Sequence, residues 1–279
     1  MMHACLHLDF HAASGATQLH CARQDPPWKV VRAFPNPAGE SLVHINNISG
    51  GVFGGDHLNL RINLGPGTAA QITTTGATRL YRPREGTADA LLCNEVHLGK
   101  GALLEYLPDS VIPFRDARCE QRTNVHLDSG ATLFWWEIIA PGRVASGELF
   151  AYSSLRLNSS ITSQGHPIYT DRVHFNPSQG DLSSLARLGK YRYHTSFMIC
   201  RSNEDRATWI ALEQMLREVS HARSRGNTLW GSTTLVADGV LVRGLSESGL
   251  YIMEDLFCFW SSAKSYLLGR LPSPPRRTY

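Results

Sequence analysis

The residues best suited to chemistry in this chain are carboxylates close to apolar segments. Glu105, Asp109 and Asp116 lie on the two sides of Pro108. Two carboxylates at a fixed separation can act as general acid and base on a glycosidic bond, which would make the chain a β-solenoid hydrolase acting on a polysaccharide. The sequence does not fix the distances between them, so structural ion pairs remain the alternative.

A further carboxylate, Glu137, lies within the apolar run FWWEII at residues 134–139. Such a side chain is expected to be buried and to need an arginine or water partner, because an unpaired buried charge is costly. Arg143 is the nearest such arginine along the chain, and we expect it to pair with Glu137.

The densest glycine cluster is GGVFGGD at residues 50–56. A nucleotide-binding P-loop ends in Lys and Ser or Thr, whereas Asp56 and His57 follow the last glycine here. Because a carboxylate in such a loop would repel phosphate, we exclude a nucleotide site. Asp56 has either a separate functional role or the structural one of accepting hydrogen bonds from free backbone N–H groups.

Hydroxyl groups are concentrated at residues 73–82, TTTGATRLYR. No nucleophile elbow or adjacent histidine accompanies them, so they do not indicate a nucleophilic enzyme. Thr74 and Thr75 could line a hydrated path, or the hydroxyls could pair across neighbouring strands.

Metal ligands could come from the N-terminus, where polar residues alternate with apolar ones. His3, Cys5, His7, Asp9 and His11 share one face of a predicted strand. Such a face could hold nickel or zinc, as in a nickel-storage protein, or could be an ordinary exposed strand face. No HExxH or CxxC spacing occurs in the sequence.

The elements that position these residues are mostly strands. The segments LGPGTAA, LGKGALL and LDSGATL begin at residues 64, 98 and 127, with starts 34 and 29 residues apart. Each follows a predicted strand (57–64, 91–98 and 124–127) and leads into another (69–74, 103–107 and 132–139). A strand–turn–strand unit of this period predicts stacked layers, as in a β-solenoid. Three unrelated hairpins with similar turns are the alternative.

Helical periodicity appears only late in the chain. Apolar residues recur at helical spacing over residues 205–223 and again over 250–268. The sequence therefore predicts a mainly β fold, with a layered or solenoid-like sheet body and about two C-terminal α-helices. We expect one domain over residues 1–279. The tail at residues 272–277, PSPPRR, is expected to be extended, either as a surface tail or as a partner contact.

Composition narrows the function classes. Lys and Arg total 27 and Asp and Glu 24, a net charge of +3 that does not indicate a nucleic-acid binder. No apolar stretch reaches the roughly 18 residues of a membrane span. The polar residues within 1–10 do not fit a signal peptide, and six scattered cysteines are typical of reduced thiols in the cytoplasm.

The ordered set of motifs resembles the UreD (UreH) family of urease accessory proteins. The motifs that carry the resemblance are ACLHL (4–8), GAT (15–17), SGGVFGGD (49–56), LGPG (64–67), TTTGATRLYR (73–82), EYLP (105–108), IPFRDA (112–117), WEI (136–138), GRVASGE (142–148) and LLGR (267–270). Single motifs are weak signals, but their combination spans the chain.

The resemblance implies a non-enzymatic scaffold for urease maturation that binds apo-urease together with UreF and UreG. It also implies nickel delivery through a hydrated internal path, with no tightly bound cofactor and with GTP used only by UreG. The matching polar positions, expected to line the path, are Asp56, Thr74, Thr75, Glu137 and Glu148. A cytoplasmic location and a dimer of heteromeric complexes are further expectations. The late helices and the tail could contact UreF, or the helices could instead pack on the β body.

Overall fold

The computed structural model describes residues 1–36 and 39–275 and contains two helices and a large number of strands. In chain order the strands are β1 His3–Ala13, β2 Ala16–Gln24, β3 Trp28–Lys29, β4 Ala33–Pro35, β5 Ser41–Asn47, β6 His57–Leu64, β7 Ala69–Thr74, β8 Thr78–Leu80, β9 Ala90–Leu98, β10 Leu103–Tyr106, β11 Val111–Pro113, β12 Arg118–Leu127, β13 Thr132–Ile139, β14 Ser154–Ser163, β15 His166–Phe175, β16 Tyr193–Arg201, β17 Thr228–Thr234 and β18 Gly239–Ser246. The helices are α1 Arg206–Arg223 and α2 Ile252–Leu268.

The strands form two mixed sheets that pack face to face. The first sheet has the order β15-β14-β12-β9-β6-β1-β2, and the second has the order β17-β18-β16-β13-β10-β7-β5-β3. Parallel strands occupy the middle of the first sheet, and antiparallel hairpin returns, β2 and β15, form its two edges. A β-bulge interrupts the pairing in each of these edge hairpins, at His7/Leu8 and at Ile161/Thr162.

The sequence repeat is the stacking unit of the fold. Leu64 pairs with Leu98, and Leu98 pairs with Leu127, in the parallel first sheet. In the second sheet Ala69 pairs with Leu103, which pairs with Thr132. The offsets between these partners are the 34 and 29 residues of the sequence repeat, so each repeat is one layer spanning both sheets. The mainly β, layered fold with two late helices is thereby confirmed, and the alternative of unrelated hairpins is wrong.

The turns between the two sheets require close backbone approach. A Cβ added at Gly99 would lie 2.9 Å from the carbonyl oxygen of Leu64 in the neighbouring layer. The last residue of each turn is also a glycine, and these residues, Gly67, Gly101 and Gly130, have φ of 68°, 67° and 71°. This left-handed backbone conformation favours glycine, which explains why the repeat is visible in the sequence.

The helices cover the outer face of the second sheet. Alternate residues of β13 point to opposite sides, so Phe134, Trp136 and Ile138 meet the helices while Trp135 points between the sheets. α1 contributes Trp209 to this outer core, and α2 contributes several buried side chains. The amphipathic faces of the helices are therefore used in core packing, although Ile210 and Phe257 remain partly exposed.

Observed boundaries differ slightly from the predicted ones. α1 begins after Asp205, whose carboxylate caps the first turn, and α2 begins at Ile252. The strand expected at 124–127 extends back to Arg118, because polar residues at inward positions hid its alternation. In the tail, the Ser273 carbonyl accepts a hydrogen bond from Gln71 and Pro275 is buried. Arg276 and Arg277 lie outside the described residues.

None of the helical segments within residues 1–36 and 39–275 combines the length and apolar character needed to cross a bilayer.

Candidate functional site

A band of polar side chains divides the space between the two sheets into two apolar cores. One core contains Leu64, Leu98 and Leu127 at one end of the strands, and the other contains Leu58 and Leu92 at the opposite end. Between the two cores, the inward residues of β9, β12, β14 and β15 in the first sheet and of β13, β16 and β18 in the second are polar. We call this set the polar layer, and it consists of Asn94, Gln121, Thr123, Ser159 and Asp171 from the first sheet and Glu137, Ser196 and Arg243 from the second.

Strand register accounts for the alignment of the polar layer. In the first sheet Asn94 pairs with Thr123, which pairs with Ser159, which pairs with Asp171. In the second sheet Glu137, Ser196 and Arg243 are likewise in register across β13, β16 and β18. The polar layer therefore runs across the strands instead of along them.

A cavity of about 260 Å³ adjoins the layer on one side. Its polar lining includes Thr74, Asp109, Asn94, Gln121 and Glu137, and the exposed Thr75 lies at its surface end. The cavity is large enough for several water molecules, each of which needs about 30 Å³ of liquid volume. It offers oxygen atoms from carboxylates, amides and hydroxyls.

Glu137 is the central carboxylate of this site. Its Oε1 accepts a hydrogen bond of 2.6 Å from the Gln121 amide of the facing sheet. Burial raises the pKa of Glu137 from 4.5 to about 7, the hydrogen bond from Gln121 opposes that rise, and the charge of Asp171 adds to it. Near neutral pH this carboxyl can therefore hold a proton or release it.

The expected pairing of Glu137 with Arg143 is wrong. Glu137 points between the sheets, whereas Arg143 lies in the loop beyond the end of β13 and binds Glu148. Since Gln121 comes from a different sheet, local spacing could not identify it as the partner.

Thr74 and Thr75 both line the cavity. The Thr74 hydroxyl accepts a hydrogen bond of 2.9 Å from the Asp109 backbone N–H, which ties two neighbouring layers together. Thr75 is exposed at the surface end of the cavity. The structure thus brings Thr74, Thr75 and Glu137 to one cavity, and their role as path residues stays a prediction.

Asp56 is buried at the glycine loop and is not part of the cavity lining. Its two carboxylate oxygens accept hydrogen bonds of 3.0 Å from the backbone N–H groups of Met2 and Phe53. This geometry is the one expected of a structural cap that holds the loop and the N-terminus together.

Glu148 is buried in a separate ion-pair cluster. Arg143 binds it through two nitrogens, at 2.9 and 2.5 Å, and the Arg115 backbone N–H adds a third hydrogen bond. The hydrogen bonds from Arg143 lower the pKa of this carboxyl. Its oxygen atoms are occupied by these donors, and it is not brought together with Glu137.

The three carboxylates of the hydrolase hypothesis are dispersed. Glu105 is fully buried on the helix side of the second sheet, where Lys264 at 2.8 Å and the Trp260 indole at 3.0 Å bind it. Asp109 lines the cavity on the other side of that sheet, and Asp116 is exposed in a loop. A pair acting on one glycosidic bond is therefore not formed by these residues.

The N-terminal histidine face lies on the solvent side of the first sheet. His7 and Asp9 contact each other at 3.0 Å and both bind the Asn63 amide. Among the described residues, no three His, Cys, Asp or Glu side chains converge in a way that could hold a metal ion. This face therefore gives no support to a nickel-storage site.

Gln121, Asp171 and Arg243 are site residues that belong to none of the sequence motifs. Asp171 and Arg243 are remote in sequence and meet only where the two sheets face each other, as do Gln121 and Glu137. A usable signal was present, since Asn94 in β9 and Gln121 and Thr123 in β12 interrupt otherwise apolar inward positions.

Comparisons with known proteins agree with the motif analysis. The profile of the family described as UreD urease accessory protein matches residues 2–279. The chain is 41% identical over 279 residues to the urease accessory protein UreD of Herpetosiphon aurantiacus, covering all of this chain and 97% of that protein. It is 29% identical over 273 residues to that of Klebsiella aerogenes, covering 98% and 95% of the two chains.

Proposed function

Since this chain belongs to the UreD family of urease accessory proteins, we propose that it serves urease maturation as a non-catalytic scaffold. In this proposal it binds apo-urease together with UreF and UreG and helps to deliver nickel to the urease active site. GTP hydrolysis belongs to UreG, and the assembly is a dimer of heteromeric complexes. The six free cysteines suit the reducing cytoplasm in which we expect this work to take place.

The observation that carries the proposal is the cavity with polar lining that meets a polar layer between two apolar cores. Apolar packing is the normal content of the space between two sheets, and polar groups there are costly. A set of polar side chains that crosses several strands therefore points to a functional role. Passage of a hydrated cation is such a role.

The donor chemistry suits transfer better than storage. Glu137, Thr74, Asn94 and Gln121 offer oxygen ligands at the cavity. Divalent nickel binds more strongly to imidazole and thiolate, so an oxygen-lined path holds it weakly enough to let it move. Glu137 would release its proton as the cation arrives and recover it when the cation leaves, because its pKa is raised by burial to about 7.

The test is co-expression of the urease subunits with UreF and UreG, in the presence and absence of this chain. We expect urease activity and nickel bound per active site to rise only when the chain is present. Equal activation in both cultures would refute the proposal.

A pair of variants then tests the path. Glu137→Gln keeps the size of the side chain but removes the ionisable oxygen, so we expect lower nickel incorporation at unchanged protein level. Glu95→Gln is the matched control, because Glu95 lies on the opposite face of the first sheet and binds the Asn124 amide. If both variants activate urease like the unmodified chain, Glu137 does not serve the path.

A further inference from the structure

The polar layer continues beyond Glu137 to the opposite edge of the sandwich, where it ends in an ion pair. Arg243 Nη2 donates a hydrogen bond of 2.7 Å to Asp171 Oδ2. The Tyr169 hydroxyl donates to the same oxygen at 3.0 Å. Arg243 belongs to β18 and Asp171 to the edge strand β15, so the pair joins the two sheets.

This end of the layer is close to both Glu137 and solvent. One strand, β16, separates β13 from β18, so Glu137 and Arg243 are about 10 Å apart across the sheet at the usual strand spacing. The side chain of Arg243 is 45% exposed and that of Asp171 is 20% exposed. The ion pair therefore stands between the interior of the polar layer and the surface.

The neighbouring side chains of β16 add no charge to the pair. Ser196 is neutral, and burial lowers the pKa of His194 to about 4, so this imidazole is uncharged at neutral pH. Asp171 is the carboxylate that a cation would meet at this end of the layer, and Arg243 already occupies one of its oxygens. A second cation cannot bind there without strong repulsion in a partly buried site.

We propose that the Arg243–Asp171 ion pair closes the polar layer at the β15–β18 edge, with the guanidinium in the place that a divalent cation would take on Asp171. This inference rests on the proposed function in that it treats the layer as a cation path. At rest, the path then has its open end at the cavity beside the exposed Thr75. A cation passes the other end only after the ion pair separates.

The experiment measures access to the layer from this edge. A Ser196→Cys variant places a thiol between Glu137 and Arg243, and a small cationic methanethiosulfonate reagent labels it at a rate read by peptide mass spectrometry. Adding Arg243→Ala should raise the labelling rate of position 196 about fivefold, the factor expected for the loss of a half-exposed ion pair. Arg243→Lys, which keeps the positive charge, should stay close to the slow rate.

The chain supplies two controls. Arg156→Ala removes an arginine that is 44% exposed and ion-paired with Asp89 on the outer face, and it should leave the rate unchanged. Cys200 lies further along β16 and is fully buried, so its labelling reports loosening of the whole sheet. Faster labelling of Cys200 together with position 196, or no change at position 196, would overturn the proposal. The double change Asp171→Asn with Arg243→Ala guards against misfolding by an unpaired carboxylate, and it too should speed labelling.

Nickel chloride alone tests the cargo. In the Ser196→Cys, Arg243→Ala protein we expect Ni²⁺ to slow labelling, and we expect Glu137→Gln to remove this protection. Opening without protection would mean that the ion pair closes a water-filled gap and not a cation path. Neither measurement uses urease, so their failure leaves the scaffold function standing, while failed co-expression would leave the labelling result intact.

Discussion

Replacing Glu137 by glutamine should make the protein more stable at alkaline pH, although it removes the central ionisable group of the site. Burial raises the pKa of this carboxyl from 4.5 in an ordinary environment to about 7 in the folded chain. Below about pH 4.5 the group is neutral in both states and contributes no difference. Between pH 4.5 and about pH 7 the unfolded chain releases the proton while the folded chain retains it, so the free energy of unfolding falls as the pH rises.

The size of this effect follows from the two pKa values. At 1.36 kcal/mol per pH unit, the displacement from 4.5 to about 7 corresponds to a loss of about 3 kcal/mol above neutral pH. Glutamine stays neutral throughout and can still bind the Gln121 amide. We therefore expect the free energy of unfolding of Glu137→Gln, relative to that of the unmodified chain, to rise by up to about 3 kcal/mol from acidic to alkaline solution.

Urea unfolding followed by tryptophan fluorescence, at about pH 5 and about pH 8, measures this difference. Glu95→Gln reports the effect of losing a carboxylate on the outer face of the sheet. A stability difference between Glu137→Gln and the unmodified chain that is the same at both pH values would show that Glu137 is well solvated. That result would refute both its burial and its proton exchange with a passing cation.

Three further predictions concern the scaffold around the site. Lys264→Met should lower the free energy of unfolding in urea by about 3–5 kcal/mol, because it leaves the fully buried Glu40 and Glu105 without their cation. Lys190→Met breaks an exposed ion pair and should lower it by at most about 1 kcal/mol. Similar losses in the two variants would contradict the buried network. Asp56→Ala should cost about 2 kcal/mol in thermal unfolding, since two backbone N–H groups lose their acceptor, with nickel incorporation by the folded fraction unchanged. Reduced incorporation would instead assign Asp56 to the path. Gly99→Ala should lower the stability of the folded chain by about 1–3 kcal/mol in the same assay, because the new Cβ meets a backbone carbonyl. An unchanged melting temperature would show that the layers can separate there.

Much of the fold could be predicted because its signals are local. The alternation of Ala4, Leu6, Leu8 and Phe10 correctly indicated a strand with one buried face. The turn glycines of the repeat are required either by a left-handed backbone or by close approach of the neighbouring layer, so their spacing reports the strand register directly. Both helices were recognisable because their apolar residues recur at helical spacing and pack against one sheet face.

The site was less accessible from sequence because its contacts are remote. Glu137 was recognised from its apolar surroundings, but its partner Gln121 comes from the facing sheet. Asp171 and Arg243 look like ordinary surface charges along the chain, and only the register of β15 and β18 joins them to the polar layer. Asp56 and Glu148 stand in motifs as prominent as those of Thr74 and Thr75, yet their oxygens are occupied by backbone N–H groups and by Arg143.

The hairpins at the two edges of the first sheet bear on whether identical chains can stack end to end. A stack of parallel layers presents the same backbone pattern at each end, and identical chains could in principle continue it into a fibre. Here each end turns back on itself as an antiparallel strand, and a bulge disturbs the pairing within each of these hairpins. An incoming strand therefore meets an edge whose direction and twist no longer match the stack. Removal of either hairpin should turn a finite stack of layers into one prone to end-to-end assembly.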